Sequence, residues 1–403
     1  MKAVMETYKR MNIAPTSGKG SWLFDEEGNR YLDFIAGIAT SSLGHGHPAL
    51  VGAIQEQAGE LIHCSNLYEI PLQAEVAQML TEATGFDKVF FCNSGAEAVE
   101  AAIKLARKHA YETYGPEKHE ILTFTKSFHG RTYGSLSATG QATYQEAFGP
   151  MVPGFTYAPF GNLEAAKEEI GPQTAAVLVE PIQGEGGINV APEGFLEGLR
   201  DLCDEHGALL VFDEVQTGAG RTGHLYAYQG AGVVPDVLTS AKGLGGGMPV
   251  GAMLAKEEHA ALTPGNHGST FGGNPLAMAA VKVVLGVVGD PMFLEEVRFK
   301  GTILKNALAV LARRTPGAKV RGEGLLLGLD LGEPELAKAV FEKCLEEGVL
   351  VNLIAGTTIR LAPPLTVTKT EIRHALDTLR AAVDAALGVP VGVPAEVQEQ
   401  AVA

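Results

Sequence analysis

Cysteine, basic charge and long apolar runs are all scarce in this chain, and each shortage removes a class of protein. Four cysteines, Cys64, Cys92, Cys203 and Cys344, are scattered over 403 residues without CxxC spacing. That pattern suits neither a metal site nor a disulfide framework, and fits reduced thiols in the cytoplasm. No run of 18 apolar residues occurs, so no segment reads as a membrane span. The opening residues, Met1 to Arg10, lack the apolar core of a secretory signal. With 31 Lys+Arg against 47 Asp+Glu the net charge is −16, which argues against a nucleic-acid surface. Internal repeats, low-complexity tracts and Pro/Ser-rich linkers are missing too.

What is present is a large supply of apolar side chains, 46% of the chain against 19% charged, and 50 glycines that cluster in a few segments. Between about Phe86 and Gly251, short apolar runs alternate with helix-like stretches. The runs are Lys88 to Cys92, Ile121 to Phe124, Ala176 to Val179, Leu209 to Phe212 and Val237 to Thr239. Val99, Ile103 and Ala106 recur at helical spacing between Ala96 and Ala110. Continuous apolar strands between helices predict an α/β fold with a mostly parallel mixed sheet covered on both faces. Toward the N-terminus, Gly20 to Phe34 reads as a hairpin around Glu27-Gly28-Asn29. Toward the C-terminus, a helical stretch from Pro334 to Glu347 lies between two apolar runs. We therefore expect a smaller α+β domain built from both ends (1–60 and 301–403) around a large domain at 61–300. The Pro/Gly/Gln-rich end from about Gly388 reads as frayed.

Chemistry-bearing residues stand where these runs end. Lys242 follows Val237-Leu238-Thr239-Ser240-Ala241 and precedes a glycine run, and Asp213 directly follows Leu209-Leu210-Val211-Phe212. Both belong at the carboxyl edge of one sheet, where α/β folds bind ligands. There a lysine amine could form a Schiff base with a carbonyl cofactor. The aspartate could hold a proton on that cofactor's ring nitrogen, which is pyridoxal phosphate chemistry. Taken singly, Lys242 reads more often as a solvated loop lysine, and Asp213 equally as half of a structural salt bridge. Asn93-Ser94-Gly95-Ala96-Glu97-Ala98 could hold a phosphate at a helix N-terminus, or be an ordinary cap. In Ser127-Phe128-His129-Gly130-Arg131-Thr132, Phe128 could lie against an aromatic cofactor and Arg131 could fork a carboxylate; packing and surface roles are the alternatives. Glu185, in Glu180-Pro181-Ile182-Gln183-Gly184-Glu185-Gly186-Gly187, is a mobile carboxylate or a loop tip. Gly268 to Pro275 offers a hydroxyl in a turn. Six such signals at the ends of successive strands point to one site.

Together these segments resemble the class III (fold type I) pyridoxal-phosphate aminotransferases, from about Tyr8 to Leu387. The most specific matches are the segments just quoted, with Asp213-Glu214-Val215-Gln216-Thr217-Gly218, Ser240-Ala241-Lys242 and Ser269 to Pro275. The resemblance implies that Lys242 carries the cofactor, Asp213 pairs with its ring nitrogen and Gln216 with its ring hydroxyl. Ser94, Gly95 and Ala96 would cradle the phosphate, joined by Thr270 from a neighbouring subunit. Phe128 would stack on one ring face and Val215 on the other. Arg131 would hold the donor's carboxylate, and Arg360 the α-carboxylate of glutamate or 2-oxoglutarate, with Glu185 masking Arg360 otherwise. Ser65, Asn66 and Tyr68 would line the substrate pocket. No metal is implied.

By the same resemblance, the terminal amino group of a small ω-amino donor would pass to 2-oxoglutarate in a cytoplasmic homodimer, or a pair of dimers, with sites between subunits. N-acetylornithine leads among donors; ornithine, 4-aminobutyrate, succinyl-diaminopimelate or a carrier-bound lysine precursor are alternatives. Two other classes stay open on the residues alone. One is a nucleotide-binding enzyme using Gly243 to Gly247, although Walker and Rossmann spacings are missing. The other is a non-catalytic binding protein on the same fold.

Overall fold

The computed structural model describes residues 3–389. Its centre is a seven-stranded sheet in the spatial order Lys88–Cys92, Gly251–Ala255, Val237–Ser240, Leu209–Asp213, Thr174–Val179, Glu120–Phe124 and Phe155–Ala158. Gly251–Ala255 runs against both its neighbours and the other strands are parallel. The unbroken apolar runs follow from burial on both faces. Leu209 and Val211 pack with Val99 and Ile103 of the helix Gly95–Tyr114. Leu210 and Phe212 pack on the other side with Leu199 and Leu202 of the helix Phe195–His206.

Two strands of this sheet lie outside the five runs read from sequence. Gly251–Ala255 is composed of small and helix-favouring residues, and Phe155–Ala158 is a four-residue edge strand. Gly268 to Pro275 does not close a strand as expected. It is a loop that leads into the helix Pro275–Val288.

The chain's two ends share a sheet. Pro15–Lys19, Trp22–Asp25 and Arg30–Asp33 form a meander, and Val349–Leu350 pairs parallel to Arg30–Asp33. Glu371 ties the ends further. It completes the capping box of the helix Lys369–Ala386 and accepts the Trp22 indole N–H at 2.8 Å. A second sheet, Lys319–Glu323, Leu326–Asp330, Thr358–Leu361 and Asn352–Ile354, carries Arg360. Two arginines join it to the loops of the large sheet. Buried Arg221 donates to the carbonyls of Leu325 and Pro363, and Arg321 Nε donates to Gly187 O at 2.9 Å.

No single helix among the described residues is long and apolar enough to cross a membrane. The apolar helix Pro275–Val288 is instead a core element, packed on Pro48–Glu60 and Pro71–Thr84. The segment read as frayed lies outside the described residues beyond Val389.

Candidate active site

Loops at the carboxyl ends of the parallel strands enclose a cavity of about 380 Å³. Small-molecule sites run from roughly 300 to 1,000 Å³. Asp213 and Lys242 both line it, with Ser94, Gly95, Ala96, Phe128, Arg131, Val215 and Gln216.

Asp213 ends its strand opposite Thr239 of the next one and is 4% exposed. A buried carboxylate needs partners, and it has three. Oδ2 lies 2.7 Å from His129 Nδ1, while Oδ1 accepts from the Thr239 hydroxyl and the Val215 amide, each at 3.1 Å. The other nitrogen of His129 is buried without a hydrogen-bond partner. Lys242 opens the 3₁₀ turn Lys242–Gly245 with a φ of 44°. A left-handed non-glycine residue costs on the order of 1–3 kcal/mol, and such strain concentrates at functional sites. Burial pushes the Lys242 amine below its ordinary pKa; Glu185 pulls the other way, and Arg360 adds to the push. That shift favours the uncharged form of the amine, which is the nucleophilic one.

Ser94 caps the helix Gly95–Tyr114, its hydroxyl accepting the Glu97 amide at 3.2 Å. The first N–H groups of a helix have no partners within it and are suited to an anion. A Cβ on Gly95 would sit 2.6 Å from Val215 Cγ1, so only glycine lets this turn lie against Val215. Phe128 is half-buried on the cavity wall, and its backbone N–H donates to Glu180 at 3.0 Å. Exposed Arg131 stacks on Tyr144, 3.9 Å from its ring centre.

Beside Gln216 lies a second polar cluster. Arg360 is 1% exposed, and its Nη1 is 2.5 Å from Glu185 Oε1 and 3.0 Å from Gln216 Oε1. Nη2 donates to Asn352 Oδ1 at 3.0 Å, and Gln216 Nε2 donates to Glu185 at 3.1 Å. Burial pushes the Glu185 carboxyl up, but Arg360 and Lys242 outweigh it and the net shift is down. Gly184 permits this closeness, since a Cβ there would lie 2.4 Å from Gln216 Oε1.

Four predicted residues stand apart from the cavity and from the cluster beside it. Thr270, with Ser65 and Asn66, lines a separate depression of about 370 Å³. The two segments are tied by Asn66 Nδ2, which donates to Ser269 O and Gly272 O at 3.0 and 2.8 Å. Tyr68 is 69% exposed and lines neither cavity.

The model of the family described as "Aminotransferase class-III" matches residues 3–383. The chain belongs to the class III aminotransferases. Acetylornithine aminotransferase of Caldanaerobacter subterraneus subsp. tengcongensis is 50% identical over 379 residues, covering 94% of this chain and 96% of that one. Among solved structures, ornithine aminotransferase from Toxoplasma gondii ME49 superimposes with a TM-score of 0.92 at 34% identity, over 96% of this chain and 94% of the other. N-acetylornithine aminotransferase from Stenotrophomonas maltophilia K279a gives 0.83 at 37% identity, over 94% and 98%. The α/β architecture with a mixed sheet is that of fold type I, and the enzyme is a pyridoxal-phosphate-dependent transaminase.

The residues present fit that cofactor. An amine held below its ordinary pKa and a braced, buried carboxylate line one cavity. A helix N-terminus where no Cβ would fit opens on the same space.

Several side chains at the site were not singled out in the sequence. Glu180 and His129 stood inside quoted segments. Glu180 carries the signal that marked Asp213, an acid straight after an apolar strand, and burial raises its pKa to about 7. Asn352 and Tyr144 carried no signal. Asn352 reaches Arg360 because their strands pair in register, and Tyr144 reaches Arg131 through a turn.

Proposed function

We propose that this transaminase moves the terminal amino group of N-acetylornithine to 2-oxoglutarate, yielding glutamate and a semialdehyde. The observation that carries the reading is the covered cation beside the lysine: Arg360 is buried under Glu185, while Arg131 stands open at the cavity. A donor with one carboxylate needs only Arg131. Glutamate and 2-oxoglutarate, with two, need Arg360 as well, and Glu185 must give way. The relatives' names, at 48–51% identity, support the choice of donor.

Bound pyridoxal phosphate would supply an aldehyde for the amine and a ring that accepts electrons released on deprotonation. Asp213, braced by His129 and Thr239, would keep the ring nitrogen protonated. Ser94, Gly95 and Ala96 would hold the phosphate, Phe128 and Val215 the two ring faces, and Gln216 the ring hydroxyl. Lys242 would hold the cofactor covalently at rest. Released by the incoming amine, its uncharged Nζ would take the proton from the amine-bearing carbon and return it elsewhere, as base and then acid. The two half-reactions share one site, so ping-pong kinetics follow.

The assembly we infer is a cytoplasmic homodimer. Thr270, beside Phe271 at 59% exposure, would complete the phosphate site of a second copy, near Ser65 and Asn66. The free state of all four cysteines supports the compartment. The division at 1–60, 61–300 and 301–403 belongs to the same proposal, supported by the sheet that the two ends share.

Absorbance of the purified holoenzyme, titrated with N-acetylornithine, ornithine and 4-aminobutyrate, tests the donor. N-acetylornithine should convert the visible band at the lowest concentration, and preference for another amine would replace the assignment. Lys242→Ala should lose the lysine-linked band and nearly all turnover; retained activity would refute the role of Lys242.

A further inference from the structure

Arg131 is exposed and takes no hydrogen bond or ion pair among the described residues, yet its guanidinium is held in place. The carbon CZ sits 3.9 Å from the Tyr144 ring centre and 5.4 Å from that of Phe128. The two rings meet edge to face, 5.7 Å apart at 85°. A guanidinium stacked by its face keeps its in-plane N–H donors free for a carboxylate, and loses less rotamer freedom when one arrives. Tyr144 is itself fixed. Its short helix, Ala142–Gln145, is bracketed by two glutamines. Gln141 Nε2 donates to Ser127 O at 2.9 Å, just before Phe128. Gln145 Nε2 donates to Thr139 O at 2.9 Å and Leu136 O at 3.1 Å. The platform under Arg131 is thus tied to the segment that carries Phe128.

We propose that Tyr144 is a positioning residue for the donor's carboxylate, acting through Arg131 and setting how tightly that carboxylate is held. This rests on the reading that Arg131 binds that carboxylate. Tyr144 offers no contact to Arg360, which is buried in the separate cluster with Glu185, Gln216 and Asn352. Loss of the ring therefore leaves Arg360 untouched and weakens each substrate only at the carboxylate that Arg131 holds.

The test compares Tyr144→Leu, Tyr144→Phe and Arg131→Ala with the parent holoenzyme. Two readouts serve: the KM and kcat of each half-reaction, and the calorimetric Kd for N-acetyl-L-norvaline, the donor without its reacting amine. Tyr144→Leu should raise the N-acetylornithine KM and that Kd by roughly three- to tenfold, given the strength of an exposed cation–π contact and the order it imposes. Its kcat should stay as in the parent, and the glutamate KM should rise by no more than the donor's, because Arg131 holds one carboxylate of each. Tyr144→Phe, which keeps the ring face, should restore the donor constants. In the Arg131→Ala background, adding Tyr144→Leu should change nothing further. Unchanged donor constants in Tyr144→Leu, a fall in kcat with the donor constants kept, or a persistent effect without Arg131 would overturn the proposal. If Arg131→Ala itself leaves the donor constants unmoved, the reading of Arg131 fails instead.

Discussion

Replacing Glu185 by glutamine removes the negative charge that faces Arg360 and leaves an amide of the same shape. In the parent, Arg360 Nη1 is shared among Glu185, Gln216 and the Gly184 carbonyl, so an incoming carboxylate must displace Glu185 to reach it. A hydrogen bond to a charged group contributes about 1.5–3 kcal/mol. The Glu185 side chain keeps 21% exposure, so solvent weakens the pair and the lower end applies, about 1.5 kcal/mol or roughly tenfold. The Glu185→Gln enzyme should therefore bind glutamate and 2-oxoglutarate about tenfold more tightly. N-acetylornithine should suffer in the opposite sense, because an uncovered cation repels its ammonium and invites its carboxylate to the wrong arginine. Single-turnover absorbance measurements resolve the two half-reactions. An equal change in both, or glutamate binding that weakens, would refute the masking argument.

Two further expectations follow from packing and burial. Gly95→Ala places a Cβ 2.6 Å from Val215 Cγ1, and overpacking of that kind costs about 1–3 kcal/mol. The cofactor Kd, measured by absorbance titration, should rise at least several-fold while the circular dichroism spectrum is kept; an unchanged Kd would show that Val215 yields freely. Glu214 is fully buried, accepts the Ala227 and Tyr228 amides at 2.6 and 2.8 Å, and has its pKa raised by burial to about 7 from 4.5. Because the folded value is the higher one, the folded protein binds the extra proton. Its contribution is complete below about pH 4.5 and is lost as pH rises toward 7, about 3 kcal/mol in all. Glu214→Gln, uncharged throughout, should flatten the fall of the unfolding midpoint between pH 5 and 7; an identical slope in both proteins would contradict the assignment.

Five of the seven strands of the large sheet, and their alternation with helices, were legible because burial on two faces demands unbroken apolar runs. Leu209 to Phe212 could have served no other purpose so well. Gly251–Ala255 escaped notice because small residues at a crowded sheet position look like helix formers, and its antiparallel direction is a property of the whole sheet. Asp213 and Lys242 were legible for a related reason, since a charged group straight after a buried strand has to meet something at the sheet edge.

By itself, the sequence determined the residue types at the strand ends, the glycines that let backbone and ligand approach, and through these the kind of chemistry. Tertiary structure alone decided which groups brace them. His129 finds Asp213 across 84 positions, and Glu185 covers Arg360 across 175. Asn352 reaches Arg360 by strand register, and Tyr144 lies under Arg131 by way of a turn. Strand periodicity and turn chemistry are local and can be read along the chain. A partner's distance and orientation depend on how separate elements pack, which no window of residues records.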